Sequence, residues 1–186
     1  MVQALRAAYP QDGVELWTVA EHRLGLKPLL RRVGCRRGRR PEALVQPRAQ
    51  WGYRYAVVHP PSGRTVWWRL PTVSIAAFTV ALREFAHAVG TDHGTQILLV
   101  GEGAGWHVSA QGQGPSGIHL PGLPPYSPEL QPAARLGPLP NEALANRHCQ
   151  ALDALQEGQA PRCLVRQTMP ELIRGHTNFH WWPQTA

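Results

Sequence analysis

Five short stretches of the chain carry the hydrophobic pattern of β-strands. Residues 14–20 alternate apolar and polar side chains and are rich in β-forming types. Residues 53–59 and 65–70 are β-rich runs on either side of a Pro-Pro-Ser-Gly turn, which predicts a hairpin. Residues 96–101 are almost wholly apolar and bounded by turn residues, which is typical of a buried central strand. Residues 118–120 are predicted to form a brief fifth strand.

One long helix is predicted between the hairpin and the apolar strand. Apolar side chains recur at helical spacing through residues 75–89. Thr72 or Ser74 can cap the start of this helix, and Gly90 can end it. The spacing therefore predicts an amphipathic helix that lies on the sheet.

The C-terminal part of the chain is predicted to be mainly helical. A helix is expected over residues 141–157, with Asn141 as its cap and Gly158 as its stop. A further helical piece is expected to begin near Pro161 and to break or restart at Pro170. Together with the strands, this order predicts an α/β fold in which helices flank a mixed sheet.

Composition is that of one globular domain spanning residues 1–186. No apolar run approaches the length of about 18 residues that a membrane span needs, so no membrane partner is expected. Three scattered cysteines, Cys35, Cys149 and Cys163, lack the paired spacing of a zinc site or a disulfide framework. They favour reduced thiols and a cytoplasmic location.

Positive charge is concentrated in a basic connecting segment, residues 30–50, within the domain. The net charge is +7, and residues 23–48 hold nine Arg or Lys against the single acid Glu42. Such a block attracts phosphates and releases their counterions, which favours DNA as a partner, although a solvated basic loop is the alternative. The candidate DNA-binding residues are Arg31, Arg32, Arg36, Arg37, Arg39 and Arg40.

Several segments, in order, resemble one family of proteins. They are WTVAEHRLGLKPLLRRV, LLVGEGAGWH, LPPYSPELQPAARLG, NEALANRHCQALDALQ and the terminal FHWWP. Together they resemble the DDE transposases of the bacterial IS630 group, which are relatives of Tc1/mariner elements. The resemblance covers nearly all of the chain and implies an RNase H-like fold, with three antiparallel strands followed by central parallel strands. It also implies a nucleoid-associated protein and either a homodimer or a partner that carries the helix-turn-helix half of such enzymes.

The resemblance further implies a site for two Mg²⁺ or Mn²⁺ ions held by three carboxylates. Such ions take oxygen ligands and promote phosphodiester cleavage and strand transfer. In this chain the three positions hold Ala20, Glu102 and Ala134. By resemblance to the family's GWH element, His107 is expected near the scissile phosphate, beside Glu102, and a turn histidine with no catalytic role is the alternative. One carboxylate is a poor ligand set for a tightly hydrated dication, so we expect Glu102 to bind metal weakly at best and no productive site to form.

Neighbouring acidic residues are not expected to replace the carboxylates missing at Ala20 and Ala134. Glu21 follows Ala20 on a strand, so its side chain should face the opposite way. Glu129 lies too early in the Pro-rich loop, and Glu142 lies two helical turns beyond Ala134.

Further departures from the family pattern lie nearby. Gly34 and Gly137 occupy positions where the family commonly places Trp, and Gln131 replaces Asn. Three interpretations follow: a transposase-derived endonuclease-like domain with impaired catalysis, a non-catalytic DNA-binding or regulatory module, or a dimerisation domain.

Overall fold

A mixed sheet organises the chain. The computed structural model describes residues 1–45, 48–91, 94–103, 114–124 and 127–183. Within these ranges five strands form one sheet in the order β3-β2-β1-β4-β5. β1 to β3 are antiparallel neighbours, whereas β1, β4 and β5 run parallel, as the α/β prediction required. The strands are β1 (Gly13–Gly25), β2 (Trp51–His59), β3 (Arg64–Leu70), β4 (Thr95–Val100) and β5 (Ile118–His119).

β1 is the central strand and is longer than predicted. Its first half pairs with β4, from Gly13 opposite Thr95 to Thr18 opposite Val100. Its second half pairs with β2 as far as Gly25 opposite Trp51. The polar residues that follow position 20 hide this extension from the hydrophobic pattern, because backbone pairing with β2 rather than burial keeps them in the strand.

The first core lies between one face of the sheet and helix α2. α1 (Val2–Ala8) is not predicted by the pattern; α2 (Ile75–Val89) has the predicted bounds. The hydroxyl of Ser74 caps α2 by accepting the amide of Ala77 at 3.1 Å, and Gly90 ends it with a φ of 75°. Sheet and helix side chains are fully buried together here, among them Trp17, Tyr55, Phe78, Phe85 and Ile97.

The predicted helix over residues 141–157 is wrong as one continuous helix, and apart from Asn141 only residues 152–157 of it lie in a regular α-helix. The chain forms a short helix, α3 (Pro138–Asn141), and a 3₁₀ turn (Glu142–Leu144), and then leaves helical conformation. Ala145 bridges to Leu29 in the manner of a strand, and Asn146 adopts a left-handed φ of 57°. A tertiary contact with the basic segment therefore overrides local helix preference at this point.

The main C-terminal helix begins later and continues through the predicted stop at Gly158 and the predicted start at Pro161. α4 (Leu152–Gln167) runs through Gly158 and Pro161, because Leu155, Gln159 and Cys163 bury one of its faces. The predicted restart at Pro170 is confirmed, since α5 (Pro170–Thr177) begins there with proline in its first turn.

A second core covers the opposite face of the sheet. It packs Ala20, Ala56 and Val58 of the sheet against a 3₁₀ helix (Pro132–Leu136) and against Ile173 of α5. A preceding 3₁₀ turn (Pro128–Leu130) leads into it. In the described part of the chain no helix is long and apolar enough to cross a membrane.

Candidate active site

The face of β1 that bears Ala20 lies under the second core. Thr18, Ala20 and His22 alternate onto this face, and Ala20 pairs with Ala56 across the ladder. Ala20 is 1% exposed, and its neighbours are aliphatic side chains from the sheet, the 132–136 helix and α5. The first of the three positions is therefore closed over by apolar packing.

Glu102 lies just beyond the end of β4. The parallel ladder between β1 and β4 ends with Thr18 opposite Val100, so Glu102 follows β4 and Ala20 follows Thr18 at the same edge of the pairing. Glu102 is exposed and lines a cleft of about 210 Å³ with Leu123, Pro124, Ser127 and Pro128.

The 3₁₀ helix that carries Ala134 is fastened to β1 by a buried glutamine. The Nε2 of Gln131 donates to the carbonyl of Val19 at 2.9 Å, and the hydroxyl of Thr18 donates to Gln131 Oε1. Gln131 is 1% exposed, so these bonds satisfy a buried amide. Ala134 itself is half-buried, and its neighbour Ala133 is the residue that packs with Ala20.

The structure thus brings together the three segments that carry Ala20, Glu102 and Ala134. No group of three or more His, Cys, Asp or Glu side chains with the geometry of a metal site occurs among the described residues. His107 and the adjacent Trp106 lie outside those residues.

The three neighbouring acids considered from the sequence do not replace the missing carboxylates of the candidate site. Glu21 faces the first core, where burial and then the Glu21 carboxylate raise the pKa of Tyr55, so the predicted opposite orientation is confirmed. Glu129 is exposed in the 3₁₀ turn before the site. Glu142 forms an ion pair with Arg166 at 3.3 Å.

Two basic residues, the half-buried His22 and the buried Arg54, adjoin the site and are not identified by sequence reasoning. They are partners in the β1–β2 ladder, and Arg54 is 1% exposed. The Arg54 guanidinium donates to the carbonyl of Gly137 at 2.8 Å and to Asn141 Oδ1 at 3.3 Å. Strand alternation could place Arg54 opposite α2, but only the fold shows that α3 and α4 cover it.

Burial determines the electrostatics of this pair. It lowers the pKa of His22 to about 4, with a smaller contribution from the charge of Arg54, so the imidazole is neutral at neutral pH. It also lowers the pKa of Arg54 to about 10, which leaves the guanidinium charged. The site face therefore contains a buried positive charge.

The two glycines that depart from the family pattern differ in environment. A Cβ at Gly137 would lie 2.5 Å from Nδ1 of His22, so the imidazole occupies the space of a side chain at position 137. A Cβ at Gly34 would meet nothing within 4 Å.

The basic segment follows β1, and its described residues, 30–45 and 48–50, are exposed. Its start is fastened to the body, because the amide of Arg31 donates to Asn146 Oδ1 at 2.8 Å and Asn146 Nδ2 donates to the carbonyl of Arg31 at 3.1 Å. A turn follows in which the Arg39 amide donates to the carbonyl of Arg36 at 3.0 Å. The candidate arginines are all solvent-exposed.

Comparisons with known proteins bear mainly on the fold. No protein-family model matches the chain. An uncharacterized protein, y4pE/y4sA of Sinorhizobium fredii, is 37% identical over 82 residues, which cover 44% of this chain and 59% of that protein.

Solved structures of the mariner transposase Mos1 share the architecture. The strand transfer complex matches with a TM-score of 0.55 and 12% identity over 97% of this chain and 60% of that chain. The paired end complex with Mg matches with a TM-score of 0.58 and 14% identity over 95% of this chain and 58% of that one. The paired end complex with Mn matches with a TM-score of 0.57 and 13% identity over 95% of this chain and 58% of that chain. The expected RNase H-like fold is thereby confirmed, and the chain spans about three fifths of the length of the proteins it matches.

Proposed function

We propose that the chain is a DDE transposase domain of the IS630 group that contacts DNA and does not hold two catalytic metal ions. The single observation that carries this proposal is the environment of Ala20. The residue sits where the resemblance places a metal-binding Asp, and it is buried among aliphatic side chains. An apolar environment cannot compensate the dehydration of Mg²⁺.

The remaining residues do not fit the metal pair. Glu102 is the one carboxylate at the three positions, and Ala134 contributes no ligand. The Arg54 guanidinium lies diagonally across the ladder from Ala20, at a spacing that long side chains can bridge. Its charge opposes a dication there, so we assign no metal-dependent step to this chain.

DNA contact is proposed on the basic segment. Its arginines are exposed, and the hydrogen bonds between Arg31 and Asn146 fix the segment beside the end of β1. The matched Mos1 structures include a strand transfer complex and a paired-end complex with the left transposon end, which supports DNA as the partner class. A cytoplasmic, nucleoid-associated location and a partner that supplies a helix-turn-helix half belong to the same proposal.

A dimerisation role is the second candidate, and exposed apolar side chains favour it. Leu30, Val33, Leu44 and Val45 of the basic segment are 52–77% exposed. Sedimentation equilibrium of the chain and of a Leu30→Ser, Val33→Ser, Leu44→Ser variant tests this role. Dimers that the substitutions dissociate would support it, and a monomeric unmodified chain would exclude it.

Metal-dependent nicking of duplex DNA tests the main proposal. We expect no Mg²⁺- or Mn²⁺-dependent cleavage by the unmodified chain. The triple substitution Ala20→Asp, Glu102→Asp, Ala134→Glu supplies the three carboxylates, and the same protein with Ala20→Asn is its uncharged, equal-sized control. Cleavage by the unmodified chain at the rate of the triple variant would refute the proposal.

A further inference from the structure

A cavity of about 280 Å³ lies at the end of β1, beside Leu24. Its floor is apolar and consists mainly of the third core cluster, in which Leu24, Leu144 and Leu155 pack together. Its walls come from the last residues of β1, the first residues of the basic segment and the non-helical stretch before α4. None of the described residues that line it is an acid.

Three cations surround this cavity. Arg23 comes from β1, Lys27 from the start of the basic segment and Arg147 from the stretch before α4, and all three residues are exposed. Because an apolar floor beneath a wholly positive rim matches a ligand with an apolar body and a negative edge, the cavity favours an organic anion.

The ring of Trp51, which lines one side of the cavity, indicates a ligand with a flat face. Arg23 stacks on the ring of Trp51, with its guanidinium carbon 3.9 Å from the ring centroid. The indole also lies directly over Gly25, where any Cβ would collide with the six-membered ring. A glycine at this position is therefore what allows Trp51 to lie across the end of β1 and line the cavity. Flat, stacked surfaces of this kind bind nucleobases.

We infer that this cavity binds one unpaired nucleotide of a DNA strand, with the base against the Trp51–Arg23 stack and the phosphate on Lys27 and Arg147. The inference rests on the proposed DNA contact and adds a site that the basic arginines do not provide. A base within a duplex is stacked on both faces and cannot present a face to Trp51, so the site distinguishes unpaired from paired DNA. Asn141 also lines the cavity; because its Oδ1 accepts from Arg54 and Gln159, its contribution to the edge of the base is the Nδ2 donor.

Equilibrium binding to two labelled DNAs tests the site. One is an intact duplex, and the other is the same duplex interrupted by a short unpaired thymidine stretch. We expect the unmodified chain to bind the interrupted duplex more tightly. Trp51→Ala should weaken that binding about 5- to 100-fold and leave intact-duplex binding unchanged, while Trp51→Phe should restore most of the difference.

Matched variants distinguish the loss of the nucleotide site from the loss of one positive charge or one tryptophan elsewhere. Arg147→Ala should reduce the preference for the interrupted duplex, whereas Arg83→Ala on the exposed side of α2 should not. Trp181→Ala is the tryptophan control, because Trp181 is 42% exposed near the C-terminus. Circular dichroism establishes that each variant is folded, and Arg147→Ala, in an exposed loop, keeps the test valid if Trp51→Ala fails to fold.

Cys149 provides a second readout because its half-buried thiol lines the cavity. In a Cys35→Ser background, the interrupted duplex should slow maleimide labelling of Cys149 severalfold, and the intact duplex should not. If the unmodified chain binds both DNAs with equal affinity and Trp51→Ala leaves that affinity unchanged, the nucleotide site is overturned and the proposed DNA contact still stands. Absence of binding to either DNA would overturn both. Protection of Cys149 by thymidine monophosphate without any binding of interrupted DNA would overturn the assignment to a DNA strand.

Discussion

The side-chain amide of Gln131 donates a 2.9 Å hydrogen bond to the main-chain carbonyl of Val19. This bond, with the one that Gln131 accepts from the Thr18 hydroxyl, holds the 3₁₀ helix Pro132–Leu136 on β1. The relationship fixes the spacing between the strand that carries Ala20 and the helix that carries Ala134. The geometry of the candidate site therefore depends on one buried amide.

Replacement of Gln131 by Ala should reduce the free energy of unfolding by about 1–3 kcal/mol, because it leaves the Val19 carbonyl and the Thr18 hydroxyl buried without partners. Urea denaturation measures the loss. Gln3→Ala, at an exposed position of α1, is the control and should change stability by less than about 0.5 kcal/mol. A Gln131→Ala protein as stable as the control would show that the amide does not fasten the helix.

Stability should fall as the pH is lowered from about 6.5 toward 4. Burial lowers the pKa of His22 from 6.5 to about 4. Within that window the unfolded chain binds a proton that the folded chain does not, so the stabilisation is complete above pH 6.5 and is lost on acidification. Since one pKa unit corresponds to about 1.4 kcal/mol, the loss attributable to His22 is at most about 3.5 kcal/mol.

Denaturation curves of the unmodified chain and of His22→Gln between pH 4 and 7 isolate this contribution. The pKa of His59 is also lowered by burial, so His59→Gln serves as the comparison for a histidine outside the site. Parallel pH dependence in the unmodified chain and in His22→Gln would contradict the assignment.

Substitution by alanine should reduce the stability of the fold at Gly137 and not at Gly34. Gly137→Ala places a Cβ 2.5 Å from Nδ1 of His22 and should destabilise the fold by about 1–3 kcal/mol through overpacking. Gly34→Ala meets no neighbour and should be close to neutral. In a His22→Ala background, the destabilisation caused by Gly137→Ala should largely disappear. Thermal melts of the unmodified chain, the His22→Ala and Gly137→Ala single variants and the double variant provide the test. An undiminished cost in the double variant would show that His22 is not the obstacle.

DNA binding by the basic segment should depend steeply on salt. The logarithm of affinity should fall with the logarithm of salt concentration, with a slope of about 0.9 for each phosphate contacted. Changing Arg31, Arg36 and Arg39 to Gln should reduce the slope, whereas changing Arg83, Arg64 and Arg174 to Gln should not. Fluorescence anisotropy at several salt concentrations measures both slopes, and equal slopes would exclude the segment as the phosphate contact.

Sequence patterns identify the parts of this fold that local chemistry determines. Ser74 and Gly90 bound α2 as predicted, since a side-chain cap and a left-handed glycine are local features. The same patterns fail where tertiary contacts decide, as at Asn146, whose bonds to Arg31 replace a predicted helix. Likewise, Pro161 remains inside α4 because that helix buries a face against the body.

The candidate site is predictable to a similar extent. Alternation along β1 is enough to orient Glu21 away from Ala20. Burial of Arg54 is not predictable, because it depends on α3 and α4, which approach from more than eighty residues away in sequence. The environment of Ala20 likewise depends on Ile173, at the far end of the chain.

Manganese binding tests the central claim most directly. Electron paramagnetic resonance counts the free Mn²⁺ that remains when the chain and duplex DNA are titrated with the ion. Our account predicts no saturable pair of sites on the unmodified chain, with or without DNA, and stronger binding by the triple carboxylate variant than by its Ala20→Asn control. Saturable binding of two Mn²⁺ ions per unmodified chain would contradict it.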